Sequence, residues 1–348
     1  MTPLERAILR QRRALLRIEQ NGARQIVSTY AAVEQRLKES VDLLTREITH
    51  ARAQGFEVRP GWLFAQQRYR QLLVELQHST LDFLHQALTT ITTMQAAAIA
   101  RAPDDAERLI FATMGPAPRR DIAALRATFG KLPAAALHDM IGRASNGQPL
   151  GDLLGEIVPD AVDAVRHSLA YGVATGQNPR VIADDVMVRS GMSRTRALSI
   201  ARTETLGAYR EVSKQRFGET KIVETWTWLA AVDARTCPAC AAMNGTIHPV
   251  TGGLESHPNC RCVAAPNTPS WADLGFTGIP DNRPAPQTPE ERFDALSEAD
   301  RLAILGRARL DAYSAGKITL ADLVQETHSP KWGKGRTTAT LTSLGLRI

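Results

Sequence analysis

All four cysteines of this 348-residue chain, Cys237, Cys240, Cys260 and Cys262, fall within 26 consecutive residues, with His257 among them. The order is C-x2-C, sixteen intervening residues, then H-x2-C-x-C. A C-x2-C pair turns two sulfurs towards one point across a tight knuckle, and His257 with Cys260 repeats the two-residue gap. The N-terminus has no signal-peptide pattern and no run approaches the ~18 apolar residues that span a membrane. The sequence thus predicts a chain made in a reducing cytoplasm, where clustered cysteines mean metal more often than disulfide. One structural zinc per chain is expected. Cys237, Cys240, His257 and Cys260 are the preferred set, with Cys262 able to replace His257 or Cys260, and His248 an outsider. Five candidates for four tetrahedral positions favour a closed site over a catalytic one, which keeps a position open.

Around this stretch the pattern changes character. Ile222, Val223 and Thr225 to Trp228 are β-branched or aromatic and, with Leu229, read as a strand with Trp226 and Trp228 on one face. Asn244-Gly245 marks a tight turn, and Thr246 to His248 returns as a short strand. Upstream, the apolar residues Leu4, Ile8, Leu15, Ile18, Ile26, Tyr30, Val33, Leu37, Val41, Leu44 and Ile48 recur at helical spacing. A helix over 4–50 would be about 70 Å long and needs a partner to cover its stripe. Turn signals at Gly55 and Pro60-Gly61 precede a second stripe from Leu63 through Phe83 and Ile91 to Met94, so an antiparallel hairpin is expected. From Pro103 the prolines and glycines predict shorter helices, among them a helix, a turn at Ser190-Gly191-Met192, and a long helix. That arrangement admits a helix-turn-helix DNA reader.

The fold class expected is mainly α (α+β). A long helical hairpin over 1–102 leads to a helical core over 103–220 and a zinc-binding β module over 221–265. A Pro-rich linker over 266–290, pinned by Trp271 and Phe276, and a small helical tail over 291–348 follow, the tail with a basic, weakly patterned end. Formal net charge is +6, and Arg6, Arg10, Arg12, Arg13 and Arg17 crowd the first turns. This excess permits contact with nucleic acid or an acidic surface. There is no H-x-E before the cysteines, no H-E-x-x-H and no phosphate-binding G-x-x-x-x-G-K-[ST], so no complete catalytic motif.

Taken together, Ile200-Ala201-Arg202-Thr203-Glu204-Thr205, the tryptophan strand, Asp233-x-Arg235-Thr236-Cys237-x-x-Cys240, Asn244-Gly245 and His257-Pro258-Asn259-Cys260-Arg261-Cys262 resemble the phage Mu protein F-like family of head-morphogenesis or minor head proteins. The likeness extends over about 150–265, with a weaker echo at Leu305-Gly306 and Asp322-Leu323-Val324. It implies a minor capsid protein, assembled in the host cytoplasm and resident in the virion, and the lack of a complete catalytic motif leads to the expectation that it is not an enzyme. Its partners would be the portal and other capsid or scaffold proteins, with packaged DNA nearby and neither membrane nor small-molecule substrate. The family's metal ligands would fall on Cys237, Cys240, His257, Cys260 and Cys262. The alternatives are a zinc-dependent nucleic-acid-processing enzyme, nuclease or deaminase-like, and the helix-turn-helix reader.

Overall fold

In a computed structural model the chain is described over residues 1–346 except 234, 282 and 284. Pro284 of the expected linker therefore lies outside the described residues. The fold is mainly helical, with a small three-stranded sheet beside the cysteines. No helix is long and apolar enough to cross a membrane among the described residues. Three long helices dominate: α1 (Pro3–Ala53), α3 (Gln67–Met114) and α8 (Pro179–Glu219). Between and after them lie α2 (Pro60–Ala65), α4 (Arg119–Ala127), α5 (Ala134–His138), α6 (Leu150–Gly155) and α7 (Ile157–Ala174). The chain divides into two compact units, 17–94 with 142–204, and 1–16 with 95–141 and 205–348, so each long helix contributes to both.

In the first of these, α1 and α3 run antiparallel. Tyr30 meets Phe83 edge-on at 4.9 Å, Ser40 donates to Glu75, and Arg68 pairs with Glu47, so residue numbers rise along one helix as they fall along the other. Gly22 lets the Met94 side chain lie directly on the α1 backbone, where a Cβ would overlap it. From Ile26 to Ile48 every residue of the expected α1 stripe is buried. The expected turn at Ser190-Gly191-Met192 is not present, because α8 runs unbroken from 179 to 219. Ile182, Val186, Ser190, Ser193 and Ala197 keep one buried phase, and the Ser190 carbonyl accepts the Tyr30 hydroxyl at 2.5 Å. Small polar residues occupy the buried positions, which hides the helical period and mimics a turn. The helix-turn-helix reading falls with it.

Pro103 likewise does not end a helix but lies inside α3. Its flanks, Ile99, Ala102, Ala106, Leu109 and Ile110, are all buried, and that packing outweighs the lost hydrogen bond. In the second unit Ala106, Leu109 and Ile110 join Ile8, Leu125, Phe129, Phe217, Val263 and Trp271 in one core. Trp271 is 2% exposed and meets Phe276 edge-on, so the linker is anchored as expected.

The sheet comprises β1 (Thr225–Leu229) at the centre, β2 (Ile247–Pro249) on one side and β3 (Val263–Asn267) on the other, all antiparallel. The short helix α9 (Pro238–Met243) sits between β1 and β2 in sequence. β3 was not expected, because Pro266 argues against a strand. It is tolerated since β3 is an edge. The tail holds α10 (Pro289–Asp294), α11 (Glu298–Leu305) and α12 (Arg307–Ser314). The expected helical tail gives way after α12 to a 3-10 turn at Ala321–Leu323, and the basic end forms a hairpin of β4 (Val324–Ser329) and β5 (Gly333–Thr338). Alternation in β4 and β5 is nearly all polar, so no apolar period announced the strands.

Candidate metal centre

Two knuckles converge. The first opens where β1 ends. The Asp233 amide donates to Thr236 Oγ1 at 3.0 Å, and the Arg235 amide donates to Asp233 Oδ1 at 2.9 Å, a turn that delivers Cys237 to the start of α9. Pro238 suits the first helical position. Cys237 caps α9, its Sγ accepting the Cys240 amide at 3.3 Å. The second knuckle turns on Asn259, whose φ of +66° a short polar side chain tolerates. There the Cys262 amide donates to Cys260 Sγ at 3.4 Å. Amides aimed at sulfur favour thiolates.

Cys237, Cys240 and His257 form one compact donor group, and Cys240, Cys260 and Cys262 another, all donor atoms within 4.8 Å inside each group. Cys240 is common to both. His257 Nε2 lies 3.2 Å from Cys237 Sγ and 3.3 Å from Cys240 Sγ, and Cys240 Sγ lies 3.7 Å from Cys260 Sγ. A tetrahedral zinc with ordinary bond lengths sets ligand separations of about 3.8 Å for S···S and about 3.6 Å for S···N. The donor set therefore fits a metal of that kind. His257 Nδ1 donates to the Pro258 carbonyl at 2.7 Å, leaving Nε2 with its lone pair facing the sulfurs. His248, by contrast, stands outside both groups. It stacks on Trp226 at 4.5 Å and shares a hydrogen bond with Thr246.

The electrostatics point the same way. The Cys240 contact and His257 hold the Cys237 thiol down at about 4 against its burial. In return Cys237 raises His257 to about 9, again against burial. Cys260 is pulled well below a free thiol by hydrogen bonds from Cys240 and Cys262 and by the charge of Arg210. Cys240 is pushed up by its contacts with Cys237, Cys260 and Cys262. The Cys240 contact lowers Cys262, but the Cys260 contact and burial outweigh it and leave Cys262 raised. Crowded thiols ionise only in part when they must compensate one another, and a divalent cation would let all of them ionise.

Two arginines that the sequence did not connect with the cysteines brace the cluster. Arg210 of α8 donates to the carbonyls of Cys260 at 2.7 Å and Cys262 at 2.9 Å. Arg12 of α1 donates to those of Ala230 at 2.8 Å and Leu229 at 3.2 Å. Both come from distant helices, so no local spacing betrays them. Above Cys237 and His257 lies a shallow cleft lined by Asp233, Arg235, Asn259 and Arg261. Asp233 is engaged by Arg235 at 2.8 Å. Burial would raise the Asp233 carboxyl, but the Arg235 hydrogen bonds and the charges of Arg235 and Arg261 bring it below its ordinary value. Arg202 pairs with Glu19 at 2.5 Å, and buried Glu204 accepts the Ser145 amide and hydroxyl.

The family described as Phage Mu protein F like protein matches residues 163–265, under a third of the chain, spanning most of α7, all of α8, both knuckles, β1, β2 and the first part of β3. No curated protein and no solved structure matches. The match links this segment to phage head morphogenesis.

Proposed function

We propose that the chain is a minor head protein that takes part in phage head morphogenesis at the portal vertex, in contact with the portal and with capsid or scaffold proteins. Its site is that of a structural zinc, one per chain, bound by Cys237, Cys240, His257 and Cys260, with Cys262 the alternative fourth ligand. The observation that carries this reading is the family match, whose segment holds the whole donor cluster. Sulfur-rich donors with one imidazole suit zinc. The three-stranded sheet has a small core, and metal binding, on the order of 10 kcal/mol, would hold it together. The protein carries no catalytic role in this reading. Mass spectrometry of purified particles and procapsids tests it: the chain should be present in few copies, and its absence from both would sink the proposal. A zinc-dependent nucleic-acid enzyme is the second reading, favoured by the arginine-lined cleft over the cluster. It would gain ground if Cys237→Ser removed a chemical activity from protein that stayed folded.

A further inference from the structure

Arg6, Arg10, Arg13, Arg17 and Arg24 follow one another at steps of 4, 3, 4 and 7 residues along α1. On a helix turning about 100° per residue, these steps keep all five within roughly 60° of one another. All five are exposed. The acids of the same segment lie off this face: Glu5 is tied to Thr2 at the helix start, and Glu19 is held by Arg202. Arg12, out of phase, turns inward to the carbonyls before the first knuckle. Arg6 donates to the Met1 carbonyl and Arg24 to the Asn21 side chain. Among the described residues no carboxylate is paired with any of the five. The row is thus uncompensated positive charge over about 27 Å of one uninterrupted helix.

The chemistry of the face narrows its partner. A protein interface is anchored by central aromatic or apolar side chains. The other exposed residues on this face between Arg6 and Arg24 are Gln20 and Asn21. Single-stranded nucleic acid is held by aromatic stacking. The sole aromatic residue of α1, Tyr30, is 1% exposed. A linear series of guanidinium groups, with nothing between them that reads a base, matches the regular charge of a duplex backbone. We infer that this face of α1 docks on the phosphates of duplex DNA without sequence preference. The inference deepens the proposed function, which supplies the packaged genome as the duplex met, while the binding itself rests on the row alone.

Fluorescence anisotropy with the full chain and two unrelated labelled duplexes tests it. Both should bind alike, with a log–log salt slope of about −3 to −4.5, a loss on the order of 100-fold between 50 and 200 mM salt. The variant R10E/R13E/R17E should bind far more weakly and flatten the slope, with unchanged circular dichroism, while R10K/R13K/R17K should keep the slope. No duplex binding, binding that the glutamate variant leaves intact, or preference for a single strand or a poly-glutamate peptide would overturn the inference. Salt-dependent duplex binding by a chain missing from particles would instead fault the head-assembly reading alone.

Discussion

Cys240 is the residue on which both donor groups turn, and Cys262 is the one that a four-coordinate ion can spare. Cys240→Ser should therefore abolish metal binding and cost several kcal/mol, since the coordination energy is on the order of 10 kcal/mol. Cys262→Ser should retain about one zinc per chain. Elemental analysis with thermal melts separates the two, and equal zinc loss in both variants would refute the assignment. Val232, just before the first knuckle, has a φ of +53°, where a β-branched side chain is strained. Removing its Cβ relieves ~1–2 kcal/mol, against ~0.5–1 kcal/mol of glycine entropy. Val232→Gly should leave stability unchanged or raise the melting temperature by on the order of 2 °C. Glu204 should give a pH effect of definite sign. Burial raises its carboxyl, more than the Ser145 hydrogen bonds lower it. A raised folded pKa means that its contribution is full below the ordinary value of 4.5 and is lost as pH rises through the folded value. Against Glu204→Gln, the wild type should therefore lose relative stability across that window in urea titrations.

The elements were legible where their periodicity was apolar and hidden where it was not. The stripes of α1 and α3 were readable, as were the tryptophan strand and both knuckles, because each places large or chemically distinctive residues at a fixed period. The continuity of α8 was not, since Ser190 and Ser193 fill its buried phase. The β4–β5 hairpin was invisible for a related reason: it is held by a neighbour instead of by its own apolar face. Gly335 of β5 lies flush on the loop that carries His257, and a Cβ there would come 2.7 Å from the Ser256 carbonyl. Beside it Arg336 donates to the Glu255 carbonyl at 3.1 Å. Backbone cannot retreat as a flexible side chain can, so Gly335→Val should lift the hairpin off this loop at a cost of about 2 kcal/mol. Limited proteolysis should then cleave first after Lys331 or Lys334. A hairpin as protected as in the wild type would show that the contact is dispensable.

The segment shared with the Phage Mu protein F like family ends at 265, but the packing that supports it does not. Cys237 and Cys240 ride on α9, whose Ala241 and Ala242 are buried against Phe293, Ile304, Leu305, Leu310, Leu320 and Leu323. Thr338 Oγ1 accepts the Ala239 amide on the same helix. One side of this six-residue helix thus faces the sulfurs and the other faces the tail. A helix this short has little stability of its own and takes its order from what covers it. A chain ending at 265 keeps every cysteine and His257 but uncovers that apolar side. It should bind zinc more weakly and melt lower than the full chain, or aggregate through the uncovered face. Competition with a chromogenic chelator, run beside the full chain, measures the first effect. Equal zinc affinity and equal melting temperature would show that the matched segment folds independently of the tail. The expected outcome is that the knuckles are recognisable from their sequence alone, whereas the platform that holds them in register is built by residues 289–339.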